Sequence, residues 1–332
     1  MTHSVSVFGA AGYAGALSAR LLDRHPAFEL RTVTARSDVG RRLDELYPHH
    51  RVTLELEELD LDRHGDVDAA IVAYPHGAAA ELVGELARRG VRVVDLSADF
   101  RLHDAAVYEE WYRPHPEPEL LPSAVYGLPE RYREQIADAR IVANPGCYPT
   151  ATVLALAPLA RAGAIADVVV DAKSGVSGAG RAATDKTHFV TVDENVSAYG
   201  VPRHRHTPEI EQELAALGAE LRITFTAHLL PLDQGELVSC YVTPPGGGPF
   251  GDARALYQEF YAGEPFVELA DAPPGVRDVR ETNICRISVH VDERTGRLLV
   301  FAAIDNLWKG AASQAIQNLN LMFGRPEGEG IS

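Results

Sequence analysis

Positive charge is in short supply in this 332-residue chain: 31 Lys and Arg stand against 47 Asp and Glu, a formal net charge of −16. Such a chain is repelled by phosphate backbones and by anionic lipid surfaces, so nucleic-acid binding and membrane docking are both disfavoured. A strongly acidic protein partner is disfavoured for the same reason, and the plain consequence of the charge is solubility. Cysteine is scarce as well. Cys147, Cys240 and Cys285 form no CxxC pair and leave an odd count, which fits a reducing cytoplasm and gives no metal signature. No apolar run is long enough to span a bilayer. The N-terminus enters a β-prone pattern within a few residues, without a basic n-region or a long apolar h-region, so no signal peptide is expected. Internal repeats and low-complexity blocks are missing; residues 244–249 read as a loop and residues 325–332 as a polar tail. What is there is an ordinary globular balance, 46% hydrophobic and 23% charged, in a chain long enough for two domains with cores of their own.

The first half alternates strand and helix patterns. Val5 to Phe8 is β-prone and runs into Gly9-Ala10-Ala11-Gly12-Tyr13-Ala14-Gly15, after which Ala16 to Leu22 reads as helix. Strand, glycine turn and helix in that order are the context of a dinucleotide-binding turn. Gly9 permits the tight turn, Gly12 lets backbone approach a pyrophosphate, and Gly15 allows close helix packing, with the helix N-terminus as the anion site. The spacing is GxxGxxG, a variant of the usual fingerprint. Phe28 to Thr34 is the second strand, and Arg36 and Ser37 at its end suit a ribose 2′-phosphate, which favours NADPH; Asp38 reads as a turn residue. Val67 to Ala73 and Val91 to Leu96 are buried-type strands around a helix from Ala78 to Arg89. This alternation predicts a doubly wound parallel sheet. His76 reads as a turn-capping histidine or a cofactor neighbour. Arg101 lies just past a strand end, where open α/β sheets bind ligands, as a carboxylate or phosphate clamp or as a partner of Asp99. Ser123 to Glu130 reads as an ordered loop, and Ile141 to Ala143 as the last strand of this half.

That strand delivers Asn144-Pro145-Gly146-Cys147-Tyr148-Pro149. The proline opens an apolar run, Ala151 to Leu159, that reads as helix. Cys147 therefore lies at or just before a helix N-terminus, a location that favours thiolate and hence a nucleophile; a small buried apolar cysteine is the plain alternative. In the second half, the glycine- and serine-rich loop from Lys173 to Arg181 is suited to a phosphate or to a flexible surface. Ser174, Gly175, Arg181 and, further on, Tyr199 are the substrate-side candidates. His204 and His206 precede a helix whose start is signalled by Thr207-Pro208-Glu209, with Thr207 as N-cap and the end near Leu217. His206 is the candidate proton carrier and Glu209 its orienting group. His228 sits in a strand pattern and reads as a satisfied sheet histidine. Runs at 222–230, 237–242, 286–291 and 298–304 predict a mainly antiparallel second sheet, followed by a helix from Trp308 to Met322.

Taken together, GAAGYAG, SADFRL, YGLPE, NPGCYPTA, SGVSGAGR, HRHTPEI and IDNLWKGAASQAIQNLN resemble the N-acetyl-γ-glutamyl-phosphate reductases, within the aspartate-semialdehyde dehydrogenase-like group. The motifs span nearly the whole chain in the family's order. The resemblance implies a Rossmann domain of residues 1–146 and 306–332 and a catalytic and oligomerisation α+β domain of residues 147–305. It implies NADPH-dependent reduction of a small acyl phosphate to the semialdehyde and phosphate, in a cytoplasmic homodimer or homotetramer. Cys147 matches the family's catalytic cysteine, His206 its general acid/base with His204 close by, and Arg101 a substrate residue. Asn306 falls where related dehydrogenases place an asparagine near the nicotinamide. Three positions depart from the pattern: Gln234 stands for a usual Arg, Glu236 for an aliphatic residue and Ser313 for a Gly. Two rivals bear consideration, a reductase of carrier-bound aminoadipyl phosphate and a silent NADP-binding sensor. The first calls for a basic docking face, and the second has no use for the thiol, the histidines and the glycine-rich loop together.

Overall fold

The computed structural model describes residues 2–247 and 251–331. Gly248 and Pro249 of the expected 244–249 loop, and Ser332 of the tail, lie outside the described residues. The chain divides into two compact units, residues 1–146 with 311–332, and residues 147–310.

The first unit is built on a seven-stranded sheet of β1 (His3–Phe8), β2 (Phe28–Thr34), β3 (Leu56–Glu57), β4 (Ala69–Val72), β5 (Arg92–Asp95), β6 (Ala124–Tyr126) and β7 (Ile141–Ala143). Its order is β3-β2-β1-β4-β5-β7-β6, and every pairing is parallel. All four residues of β4, Ala-Ala-Ile-Val, are buried, as a central strand with both faces covered requires. Phe8, Val72, Val83, Leu86, Val93 and Ile141 form the core on one face. The winding reverses between β1 and β4, so a ligand crevice opens beyond the C-terminal ends of those two strands. Its helices include α1 (Tyr13–Asp23), α2 (Ala80–Arg88) and α3 (Pro129–Asp138).

Residues 123–130 correct the loop expected there. They hold β6 and the start of α3, because Ala124–Tyr126 pairs with β7. Three residues carry no periodicity of their own; a long-range pairing makes them a strand.

The second unit carries β8 (Asp167–Gly175), β9 (Ser197–Tyr199), β10 (Thr224–Leu230), β11 (Glu236–Thr243), β12 (Val267–Leu269), β13 (Cys285–Asp292) and β14 (Arg297–Ile304) in the order β12-β13-β14-β11-β8-β10-β9. The pairings β13–β14, β14–β11, β11–β8 and β10–β9 are antiparallel, and β12–β13 and β8–β10 are parallel. On β11 and β14 of this sheet packs α4 (Cys147–Arg161), and α5 (Thr207–Ala215) packs against α4. Helix α4 begins at Cys147 itself, earlier than the apolar run suggests, and is buried from Tyr148 to Ala160. Pro158 lies inside it and has no N–H for the carbonyl of Leu154; the hydroxyl of Tyr261 donates to that oxygen instead. Thr207 is the first residue of α5, not its cap: His206 occupies the N-cap position with near-helical backbone, and the helix ends at Ala215. The helix expected from Trp308 starts as a π-helical turn, Trp308–Ala312, and continues in the first unit as α6 (Ser313–Met322), which packs on α1, α3 and β5. Among the described residues no helix is long and apolar enough to cross a membrane.

Candidate active site

In the first unit, the turn after β1 is held by backbone. The N–H groups of Gly9 and Ala10 both donate to Thr34 O at 2.9 Å, and the Tyr47 hydroxyl donates to Ala11 O at 2.8 Å. Gly9 has φ +93°, and a Cβ there would lie 2.5 Å from Ala73 O. At Gly15 a Cβ would fall on the carbonyl oxygen of Gly9 and 3.0 Å from Ala10 Cα. Gly12 differs: its backbone is extended, and a Cβ there would make only an ordinary contact, 3.7 Å from Gly9 O. No side chain caps α1 and no acid lies in its first turn, so among the described residues no side chain claims the N–H groups at its start. This cradle fits the diphosphate of a dinucleotide.

Beyond β2, Arg36 and Ser37 are exposed, and the Arg36 guanidinium lies 4.7 Å from the centre of the Tyr74 ring. Asp38 adopts φ +62° and pairs with Arg41 at 3.1 Å, while Arg42 donates to Asp44. Arg36 makes no ion pair among the described residues, unlike Arg41 and Arg42, and lines a cavity of about 310 Å³ with Gly77, Glu81 and Arg113. Nothing in the local sequence singled out Arg113 or Tyr47.

Arg101 is buried. Its Nε donates to Asn144 O and another guanidinium nitrogen to Leu96 O, each at 2.8 Å, so it braces the segments leaving β5 and β7. Asp99 accepts from the N–H groups of Gly77, Ala79 and Ala80 and from the Tyr108 hydroxyl, tying down the loop after β4 and the start of α2. His76 accepts from Ala98 N–H, the capping role open to it. Burial, with Asp99 adding, pushes the Asp95 carboxyl up to about 7 despite two hydrogen bonds from Ser97.

In the second unit, Cys147 is half-buried at the first position of the 15-residue helix α4. Around it is a cluster of rings. The Tyr199 hydroxyl donates to that of Tyr148 at 3.1 Å. The Tyr148 hydroxyl points at His228 O, 3.4 Å away. The His204 ring lies 5.6 Å from Tyr148, 5.4 Å from Tyr199, 5.1 Å from Phe225 and 5.0 Å from His206. His206 also stands edge-on to Tyr148 at 5.9 Å. Burial raises both tyrosines well above their ordinary range, so both stay protonated donors. Burial, then the Arg205 charge, lowers His204 to about 4, and its Nδ1 accepts from His206 N–H. His204 is therefore neutral at physiological pH, with its ring fixed by its own segment. His228 faces Asp171 at 3.1 Å and Ala172 O at 3.2 Å. Glu209 is buried in the first turn of α5.

Asn306 is buried with both ends in use: Oδ1 accepts from Gly235 N–H at 2.7 Å and Nδ2 donates to Ser177 Oγ at 3.0 Å. It pins the turn between β10 and β11 to the loop after β8. Gly175 allows that approach, since a Cβ there would lie 2.5 Å from Asp233 O. Ser174 is buried at the end of β8, directly opposite Glu236 of β11. Arg181 stands in an exposed stretch further on. Gln234 turns its amide toward Asp233 at 3.4 Å.

One residue near the thiol was not legible in sequence. Gly310, in the π-helical turn, packs on Cys147: a Cβ there would lie 2.8 Å from Cys147 Cβ and 3.3 Å from its Cα. Gly310→Ala is expected to push Cys147 aside and lower kcat by roughly 10- to 100-fold, since displacements of about 1 Å are that costly at a reacting atom. Steady-state turnover with a melting curve checks this; a variant with normal kcat would show that the thiol has slack.

Residues 4–139 match the family profile described as semialdehyde dehydrogenase, NAD binding domain, and residues 147–306 match semialdehyde dehydrogenase, dimerisation domain. Among solved structures, the fold is that of aspartate semialdehyde dehydrogenase II from Vibrio cholerae, with a TM-score of 0.74 at 20% identity over 98% of this chain and 99% of that one. The Candida albicans aspartate semialdehyde dehydrogenase with NADP gives 0.72 at 14% identity, over 97% and 99% of the two chains. The architecture is thus that of the semialdehyde dehydrogenases. Sequence relatives narrow it: the N-acetyl-gamma-glutamyl-phosphate reductases of Syntrophobacter fumaroxidans and Desulforudis audaxviator are each 50% identical over 98% of this chain and 97% of theirs. That of Rubrobacter xylanophilus is 49% identical over 99% of this chain and 98% of its own. The chain belongs to the N-acetyl-γ-glutamyl-phosphate reductase family.

Proposed function

We infer that this protein reduces N-acetyl-γ-glutamyl phosphate to N-acetylglutamate 5-semialdehyde and phosphate with NADPH, a step of arginine biosynthesis. The observation that carries the reading is 50% identity, over nearly the full length, to reductases of that name. The half-buried thiol at the start of α4 supports the chemistry. A silent sensor has no use for that thiol, and the relatives that carry the reading are named for the N-acetylglutamyl substrate rather than a carrier-bound one.

Each group has a task in this reading. The turn Gly9, Gly12, Tyr13, Ala14 and Gly15 holds the cofactor diphosphate, and Arg36 with Ser37 holds the 2′-phosphate. NADPH, when bound, supplies the hydride. Cys147 attacks the acyl carbon and expels phosphate, forming a thioester; covalent capture splits one hard step into two. The tetrahedral oxyanion left after reduction needs a proton donor. Three observations favour His206 over its neighbours: it sits at the α5 N-cap, His204 is held neutral to about pH 4, and His228 faces Asp171. Ser174, Gly175, Arg181 and Tyr199 are assigned to the substrate side, with Arg101 and Asn306 bracing the segments that carry the site. The test is the phosphate-dependent reverse reaction, with N-acetylglutamate semialdehyde and either oxidised cofactor. Turnover with NADP+ is expected; turnover restricted to carrier-bound aminoadipate semialdehyde would sink the reading.

Assembly as a homodimer or homotetramer belongs to the same reading. The second domain matches a dimerisation domain, and its segment around residues 189–201 exposes Phe189 at 74%, Val190 at 77%, Val196 at 61% and Val201 at 60%. Apolar side chains so exposed in one stretch call for a cover. Phe189→Asp is expected to shift the sedimentation coefficient toward a smaller species; an unchanged oligomer would place the interface elsewhere. A thiol nucleophile outside any disulfide also suits the reducing cytoplasm.

A further inference from the structure

Glu236 opens β11 and is fully enclosed, with 0% of its surface exposed. Ser174 and Ile304 flank it in the sheet. Neither carboxyl oxygen has a hydrogen-bond partner of ordinary geometry. The Cys147 thiol bears on it electrostatically, and Ile304, the partner of Glu236 in the sheet, meets Cys147 at Gly310: a Cβ there would lie 2.8 Å from Cys147 Cβ and 3.3 Å from Ile304 Cδ1. The titratable groups facing Glu236 are Cys147 and Tyr148 of α4, Tyr199 of β9 and Asp305 past β14, and none is a cation. An enclosed carboxyl without a partner is costly, and an apolar side chain of similar volume would pack there at less cost. The nucleophilic group that bears on the carboxyl is the thiol at the start of α4.

We propose that Glu236 is the proton acceptor of the Cys147 thiol, a catalytic residue in the reaction inferred above, on which this assignment rests. During acyl transfer the S–H bond breaks and its proton passes to a Glu236 oxygen. The S–C bond forms, and the C–O bond to phosphate breaks with its electron pair leaving on phosphate. After reduction, the carbonyl re-forms, the S–C bond breaks with the pair on sulfur, and the proton returns from Glu236 to sulfur. Thiol and carboxylate are both regenerated. His206 serves the oxyanion and Glu236 the sulfur, so the two proton transfers do not compete.

The acidity of the site supports the same role. Burial pushes the carboxyl up to about 8, against the lowering contact of Cys147 and with Asp305 adding to the rise. A base of that strength is matched to a thiol, whose ordinary pKa is near 8.5. The stability consequence has a definite sign. A carboxyl raised in the folded state costs nothing below its unfolded pKa, and stability is lost as pH rises through about 8. Removing the carboxyl therefore stabilises the fold most on the alkaline side, while activity falls.

The test is Glu236→Gln in the full-length protein, assayed in the reverse direction across pH with NADP+, phosphate and the semialdehyde. Iodoacetamide labelling of Cys147 is followed in parallel. The expected result is a loss of kcat of about 100-fold or more and disappearance of the limb that rises toward pH 8. Labelling of the variant above pH 8 is expected to run at least as fast as in the wild type, because a negative charge beside the sulfur is gone. A purely structural role predicts unimpaired turnover. Wild-type kcat with an unchanged profile overturns the proposal, as does an unchanged pH dependence of labelling. Should the variant not fold, infrared spectroscopy of the wild type decides. A protonated-carboxyl band titrating near pH 8 and shifting on alkylation of Cys147 supports the proposal, and its absence overturns it. Lack of turnover by the wild type itself would instead refute the assigned substrate, leaving the labelling and infrared results to judge the Glu236–Cys147 pair.

Discussion

Replacing Cys147 by serine is expected to lower kcat/KM by about 1,000-fold or more, because the loss of a covalent nucleophile is not made good by the groups left around it. The fold should survive: serine is slightly smaller, and the position is half-buried beside Gly310 and Glu236. NADP+ affinity should change little, since the cradle of α1 is built from residues of the first unit alone. No other thiol can stand in. Cys240 is buried in β11 and burial pushes it up to about 12, and Cys285 is buried at the start of β13. Wild-type protein should therefore take up one equivalent of iodoacetamide and lose activity with it, and the serine variant should take up almost none. A serine variant retaining more than about a tenth of wild-type turnover would remove the thiol from the mechanism.

The parts of this site that were legible in sequence are those whose physics is local. Phe28 to Thr34 and Ile141 to Ala143 are strands with the bounds their apolar runs suggest. The need for glycine at positions 9 and 15 after Phe8 follows from a tight turn between strand and helix, as the spacing suggested. Cys147 stood out because a Pro-Gly turn and an apolar run fix where a helix starts. What the local pattern did not carry came from contacts distant in the chain. Ala124–Tyr126 is a strand because β7 lies beside it. Gly310 matters because Cys147, more than 160 residues earlier, packs against it. Tyr47 is a pillar of the glycine turn through one hydroxyl and Ala11 O. Arg101 stood out by its place past β5, and the two backbone carbonyls its guanidinium reaches are brought together only by the folded sheet end. Glu236 was visible only as a departure from a family pattern; its meaning lies in what encloses it.

The glycine turn yields the second large effect, because two of its glycines are needed for different reasons. At Gly15 the obstruction is protein. A Cβ would fall on Gly9 O and 3.0 Å from Ala10 Cα, both backbone, so neither can swing away. Gly15→Ala must lift α1 off the turn, and overpacking of that kind costs about 1–3 kcal/mol. It also displaces the helix N-terminus, so stability and NADP+ binding should fall together. At Gly12 the protein leaves room. The backbone there is extended, φ −80° and ψ 161°, a conformation open to any residue, and the nearest atom to a Cβ would be 3.7 Å away. Gly12→Ala should therefore melt within about 0.5 kcal/mol of the wild type, as a substitution without a clash does. Its NADP+ affinity should nonetheless drop by about tenfold or more, because the methyl group occupies the space into which a diphosphate must come. Thermal melts and fluorescence titrations with NADP+ on the two variants separate the cases. If Gly12→Ala bound NADP+ normally, the diphosphate would not sit against this turn, and the cofactor's place at the β1–β4 switch would have to be given up.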